Sequence, residues 1–206
     1  MIREQLSAML TAGLYAVFLY NLVFSGGLGA TEVIRAAKKN GGMATFALLI
    51  SIFSMLAAAV CRLLVVWFPN LTDLDFQWRV LLFGGVLLGI YLFVGTVISL
   101  VRFKYQAYLL KYMGMAILNT LVMAVPLLSF QLGYDLPRAI AMGFSAGVAF
   151  LGASLLINSG MLLLQQNKSI PVMFTGVPAT LLYTALLALA FTGFTGASLF
   201  GVGGEG

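Results

Sequence analysis

Histidine is absent from the 206 residues, cysteine occurs once, and Asp, Glu, Lys and Arg together make up only 8% of the chain. Each shortage removes a class of function. Without histidine the chain lacks the commonest transition-metal ligand and the side chain that titrates nearest neutral pH, which disfavours metal-assisted hydrolysis and histidine-based catalysis. A lone Cys61 cannot form a disulfide within the chain. Soluble domains carry about 25% charged residues, so a soluble domain is excluded as well. What is present is apolar: 62% hydrophobic residues and a mean hydropathy of +1.06. An integral membrane protein is the reading that follows. At roughly 20 residues per crossing, the length allows about six helices and leaves no room for an extramembrane catalytic domain.

Charged residues mark where the chain leaves the bilayer. The uncharged stretches run from Gln5 to Thr31, Asn40 to Cys61, Val80 to Val101, Tyr112 to Tyr134, Ala139 to Asn167 and Ser169 to Gly204, and each is expected to cross once. The first lacks a basic leader, a short apolar block and a small-residue cleavage site, so it reads as a retained helix. The runs are continuously apolar rather than alternating, which favours helices over a membrane barrel.

With six spans the odd-numbered loops carry Arg35, Lys38, Lys39, Arg102, Lys104, Lys111 and Lys168, with Glu32 as their acid. The termini and even-numbered loops carry Arg3, Arg62, Arg79 and Arg138 against Glu4, Asp73, Asp75, Asp135 and Glu205. The positive-inside rule then places the odd loops in the cytoplasm and both termini outside. The net charge of +5 is read as this orientation signal. Basic residues scattered over short loops make no nucleic-acid footprint.

The two halves resemble each other. The first span contains Asn21, then Ser25, Gly26, Gly27 and Gly29, followed by a segment from Ala30 to Lys39 that can be helical again. Glycines this dense predict a break. The fourth span contains Asn119 and Thr120, then Pro126 where the first half has glycines, and the lost amide donor predicts a second break near the proline. A weaker echo pairs Met43-Ala44-Thr45-Phe46 with Met142-Gly143-Phe144-Ser145. Three spans per half make the second half run in the opposite sense, giving a 3+3 inverted repeat over residues 5–101 and 105–200. Interrupted spans at matching places in inverted halves point to a site at the membrane midplane, formed here by Asn21, Ser25, Gly26, Gly27, Gly29, Thr31, Asn119, Thr120 and Pro126. The alternative is that the asparagines bond neighbouring helices and the glycines permit close packing.

No span has an acid or base in its interior, which disfavours a proton relay on side chains. Glu32 comes nearest, after the glycine break. It is either a functional carboxylate at a half-helix start or a partner for Arg35 one turn on. Trp67, Phe68, Trp78 and Tyr105 read as interfacial anchors, with a quinone or flavin platform as the alternative. Asp73 and Asp75 read as a solvated turn, Gly201 to Gly206 as a frayed tail, and Cys61 as a buried apolar residue. Gly143, Gly147, Gly152, Ala146 and Ala149 give the fifth span a face for close packing, a candidate subunit interface.

Several of these pieces occur together in one family. Asn21 with Leu28-Gly29, the pair Lys38-Lys39, Asn119, the block Met142 to Gly147 and the closing Leu189 to Gly196 resemble the membrane subunits shared by the Rnf electron-transport complex and the sodium-pumping NADH:quinone reductase, the A-type subunit of Rnf in particular. The resemblance covers essentially the whole chain. It implies a pair of homologous subunits of opposite topology that hold a [2Fe–2S] cluster at mid-membrane. Each would supply one cysteine just after the Leu-Gly of its first broken span and one just after the asparagine of its fourth. Those places are held here by Thr31 and Thr120, and hydroxyls do not replace thiolates as cluster ligands.

The resemblance therefore implies an all-α, non-catalytic membrane subunit of a complex in a bacterial or archaeal inner membrane that couples redox chemistry to ion translocation. Its partners would be an inverted homologue and subunits bearing flavin or iron–sulfur groups, and this chain would supply no iron ligand. The alternatives are a cluster-free ion or small-molecule transporter on the same fold, with half-helix ends and freed carbonyls facing the cargo, and a structural scaffold.

Overall fold

The computed structural model describes residues 2–19, 21–38, 42–101, 104, 106–167, 169 and 171–194. The readings placed on Lys39, Arg102, Tyr105, Lys168, Thr195, Gly196, Glu205 and the glycine-rich tail lie outside them. The described residues form helices and no strand. The eight α-helices are α1 (Ile2–Leu14), α2 (Ala30–Lys38), α3 (Met43–Trp67), α4 (Phe76–Leu100), α5 (Gln106–Ile117), α6 (Thr120–Gln131), α7 (Leu136–Gln166) and α8 (Val177–Phe194). Three of them, α3, α4 and α7, are long and apolar enough to cross a membrane, and α5 with α6 makes a fourth crossing bent by 50°. The chain is a multi-pass membrane protein.

Helix dominates because hydrocarbon offers backbone amides no partner, so each apolar run satisfies its own. The outward faces fit this solvent. Along α1 and the π-helical turn that follows it (Tyr15–Leu19), Leu6, Leu10, Leu14 and Phe18 recur every fourth residue and are all more than half exposed, while Ala12 and Ala16 turn inward. Helix α4 buries only Phe83 and Leu87, and α8 shows Leu181, Leu182, Leu186 and Leu189 outward. Both are peripheral.

The centre is the pair α3 and α7. A side chain at Gly143 would lie 2.7 Å from the backbone of Met55, and one at Gly147 would run into Ser51 and the carbonyl of Ala47. Glycine lets the two backbones touch, and the Ser51 hydroxyl donates to the carbonyl of Phe144 across the seam at 3.2 Å. Dispersion and close approach drive helix association where lipid removes the hydrophobic incentive. Ala146 and Ala149 on α7 are buried as well. The small-residue face anticipated as a subunit interface is therefore spent inside the chain. Gly152, at the open end of that series, touches nothing.

Loop chemistry fixes the ends. Asp135 accepts from the amide of Arg138 at the start of α7, with proline in the first turn. Arg79 donates to the carbonyls of Thr72 and Leu74 and lies 4.0 Å over the ring of Phe130. Trp67, Phe68 and Trp78 are largely exposed beside it, as interfacial aromatics are.

Candidate functional site: the junction of two broken helices

Asn119 caps the start of a helix, and Asn21 the start of a turn. Asn119 stands between α5 and α6, and its Oδ1 accepts from the amide of Leu121 at 3.0 Å. Asn21 follows a π-helical turn over Tyr15–Leu19 and accepts at 3.0 Å from the amides of Val23 and Phe24. Asparagine suits this position because its oxygen takes an amide that has no partner in the preceding turn. Both side chains are buried, at 4% and 1% exposure.

After that shared start the halves diverge. In the first, the turn begun at Asn21 ends within a few residues. Gly27 and Gly29 take positive φ of 65° and 69°, which stops a right-handed helix and which only glycine adopts readily. The freed amides are recaptured locally: Ser25 and Gly26 donate to the carbonyl of Asn21, and Leu28 to that of Leu22.

In the second half the chain goes straight on through Pro126, the seventh residue of α6. The expected break at the proline is displaced to Leu118-Asn119. Proline's fixed φ is itself helical, and its cost is one missing amide bond to the carbonyl four residues back. The asparagine cap, not the proline, sets the bend.

The two breaks meet. The amide of Gly29 donates to Thr120 Oγ1 at 2.9 Å, and the Gly29 backbone lies so close to the Asn119 amide group that an added Cβ would sit 2.6 Å from Oδ1. The first residues of α2 and α6 thus converge, and each brings the positive end of its helix. Asn119 Nδ2 and Ser25 Oγ are buried with no partner among the described residues. Of the residues singled out from the sequence, Gly29, Asn119 and Thr120 are in direct contact, and Asn21, Ser25, Gly26 and Gly27 shape the approach. Thr31 is exposed on the first turn of α2, and Pro126 is buried in α6, away from the bend it was expected to make.

The donor set does not fit an iron–sulfur cluster. The hydroxyl of Thr120 is engaged by an amide, and a neutral hydroxyl lacks the soft negative charge that iron and sulfide select. Among the described residues no group of three or more His, Cys, Asp or Glu could hold a metal ion. Cys61 is on α3, packed with Val65 and Phe83 in a separate apolar cluster.

Two contacts escaped sequence reasoning. The Thr120 to Gly29 bond joins residues far apart in the chain, and its only advance sign is a second capping-type residue directly after Asn119. Asn158, a polar residue inside apolar α7, donates to the carbonyl of Ala37 near the end of α2. It ties the half-helix to the central pair.

No family model matches the chain. The A-type subunit of the ion-translocating oxidoreductase complex of Rhodobacter capsulatus is 29% identical over 176 residues, which is 85% of this chain and 90% of that protein. Proteins of the same name from Buchnera aphidicola and Cereibacter sphaeroides are 32% and 33% identical over 85 residues, 41% of this chain in each case and 43% and 44% of those proteins. Similarity to the A-type subunits of ion-translocating oxidoreductase (Rnf) complexes thus runs through most of the chain.

Proposed function

We propose that the chain is a membrane subunit of an Rnf-like complex that couples redox chemistry to ion translocation, and that it contributes the broken-helix scaffold without iron ligands of its own. The observation that carries this reading is the similarity to the A-type subunit of an ion-translocating oxidoreductase complex over 85% of the chain. The junction supports it, because irregular backbone within hydrocarbon is tolerated only where protein or a cavity covers it. A partner is favoured by exposure: Leu118 is 82% exposed directly beside buried Asn119. The partner that fits is a homologue of opposite topology whose own half-helices meet this face, with flavin- or iron-bearing subunits completing the assembly. The inner-membrane, six-span reading takes α1 with its π turn as the first crossing and α8 as the last. The end bearing Arg35, Lys38, Lys104 and Lys111 then faces the cytoplasm.

Mild extraction of the tagged chain from its own membrane tests the proposal. The expected result is co-purification with flavin- or iron-bearing proteins and with a homologous membrane protein of opposite topology. Isolation as a homo-oligomer that moves an ion unaided in liposomes would overturn it in favour of a self-sufficient transporter.

A further inference from the structure

A cavity of about 290 Å³ opens between α2, the start of α3 and the middle of α5, walled by Glu32, Arg35, Met43, Phe46, Lys111 and Met115. The sequence allowed Glu32 and Arg35 to pair, one turn apart. In the structure neither they nor Lys111 takes part in an ion pair among the described residues. Two cations from different helices and one acid therefore face a common hollow, with one positive charge in surplus. The floor is aromatic: Phe46 meets the edge of Tyr112 at 6.4 Å, and Tyr112 packs on Tyr108 at 4.5 Å.

We propose that this hollow binds the phosphodiester headgroup of an anionic phospholipid with hydroxyls on the headgroup, such as phosphatidylglycerol. A phosphodiester carries one negative charge, which the surplus matches. The Arg35 fork and the Lys111 point charge are complementary phosphate donors. Glu32 accepts from a headgroup hydroxyl and repels a doubly charged phosphate monoester. An acyl chain has a path away from the headgroup, because Met115 stands one turn from Lys111 on α5 and Leu118, just past the end of that helix, is 82% exposed. Basic pockets between membrane helices are suited to anionic headgroups. The inference needs only that the chain sits in a bilayer, and it stands apart from membership of a redox complex.

The test uses the full chain in nanodiscs of phosphatidylcholine doped with phosphatidylglycerol, with retained lipid counted by native mass spectrometry. Arg35→Gln with Lys111→Gln is expected to weaken phosphatidylglycerol retention by roughly 30-fold, and Lys111→Gln alone by roughly 5-fold. Lys38→Gln with Lys104→Gln removes the same charge outside the cavity and is expected to leave retention unchanged. An equal loss in both double variants means diffuse surface attraction and overturns the proposal. Competition by inorganic phosphate or glycerol phosphate means a soluble ligand and also overturns it. The single Lys111 variant, on an exposed side chain, keeps the question answerable if the double variant misfolds.

Discussion

At the residue scale the junction depends on a glycine and an asparagine that leave each other no spare room. Gly29 combines a φ of 69° with an Asn119 oxygen 2.6 Å from where a methyl group would stand. Gly29→Ala is expected to cost about 1–2 kcal/mol for the left-handed conformation alone, and the contact with Asn119 adds to it. Thermal unfolding in detergent should show a clear drop. Asn119→Ala should cost about 1 kcal/mol through the lost cap, while Gly27→Ala, with nothing within 4 Å, should show only the backbone cost. Equal effects at Gly27 and Gly29 would contradict the close approach. Asn21 and Asn119 stood out in the sequence because a polar amide is conspicuous in an apolar run. Their shared role as caps was not, since capping depends on where a helix starts, and that boundary was set by tertiary packing.

At the scale of elements, the proline and the glycines behave differently from what their chemistry alone announces. Pro126 lies in the interior of α6 and the bend of 50° lies before Asn119. Pro126→Ala is therefore expected to leave the angle between α5 and α6 unchanged, measured by spin-label distances across the bend, and to raise stability slightly by restoring an amide bond. Straightening on substitution would return the break to the proline. The α3 to α7 seam makes a second contrast. Gly147→Val should drive the two helices apart at Ser51 and Ala47 and lower the unfolding temperature markedly, while Gly152→Val, which meets nothing, should be nearly silent. The glycine stripe was visible in the sequence. Its partner was not, because a small-residue face fits a neighbouring helix of the same chain or of another equally well until the fold chooses.

On the scale of the whole molecule, composition pointed to a membrane protein, and the continuity of its apolar runs to helices. The junction was legible only as two separate interruptions, for no local pattern announces that Gly29 and Thr120 will touch. Charge is polarised between the ends, with Arg35, Lys38 and Lys111 gathered at the α2 end and Asp73, Asp75 and Asp135 in the turns before α4 and α7. Single cysteines placed at Lys38 and at Asp73 in a Cys61→Ser background should react with a membrane-impermeant maleimide from opposite sides of sealed vesicles, Asp73 from the exterior. Because Cys61 is packed with Val65 and Phe83, apart from the junction, that background should leave the fold intact.

A hydroxyl closing onto an amide at Gly29 makes this seam chemically inert in a way that a thiolate-bound cofactor is not. Thiolates climb an oxidation ladder when peroxide or dioxygen reaches them, and a cluster is lost when iron runs short. The bond between Thr120 and Gly29 answers to neither condition. Aeration and chelators, which strip exposed clusters, should leave the fold of this protein untouched.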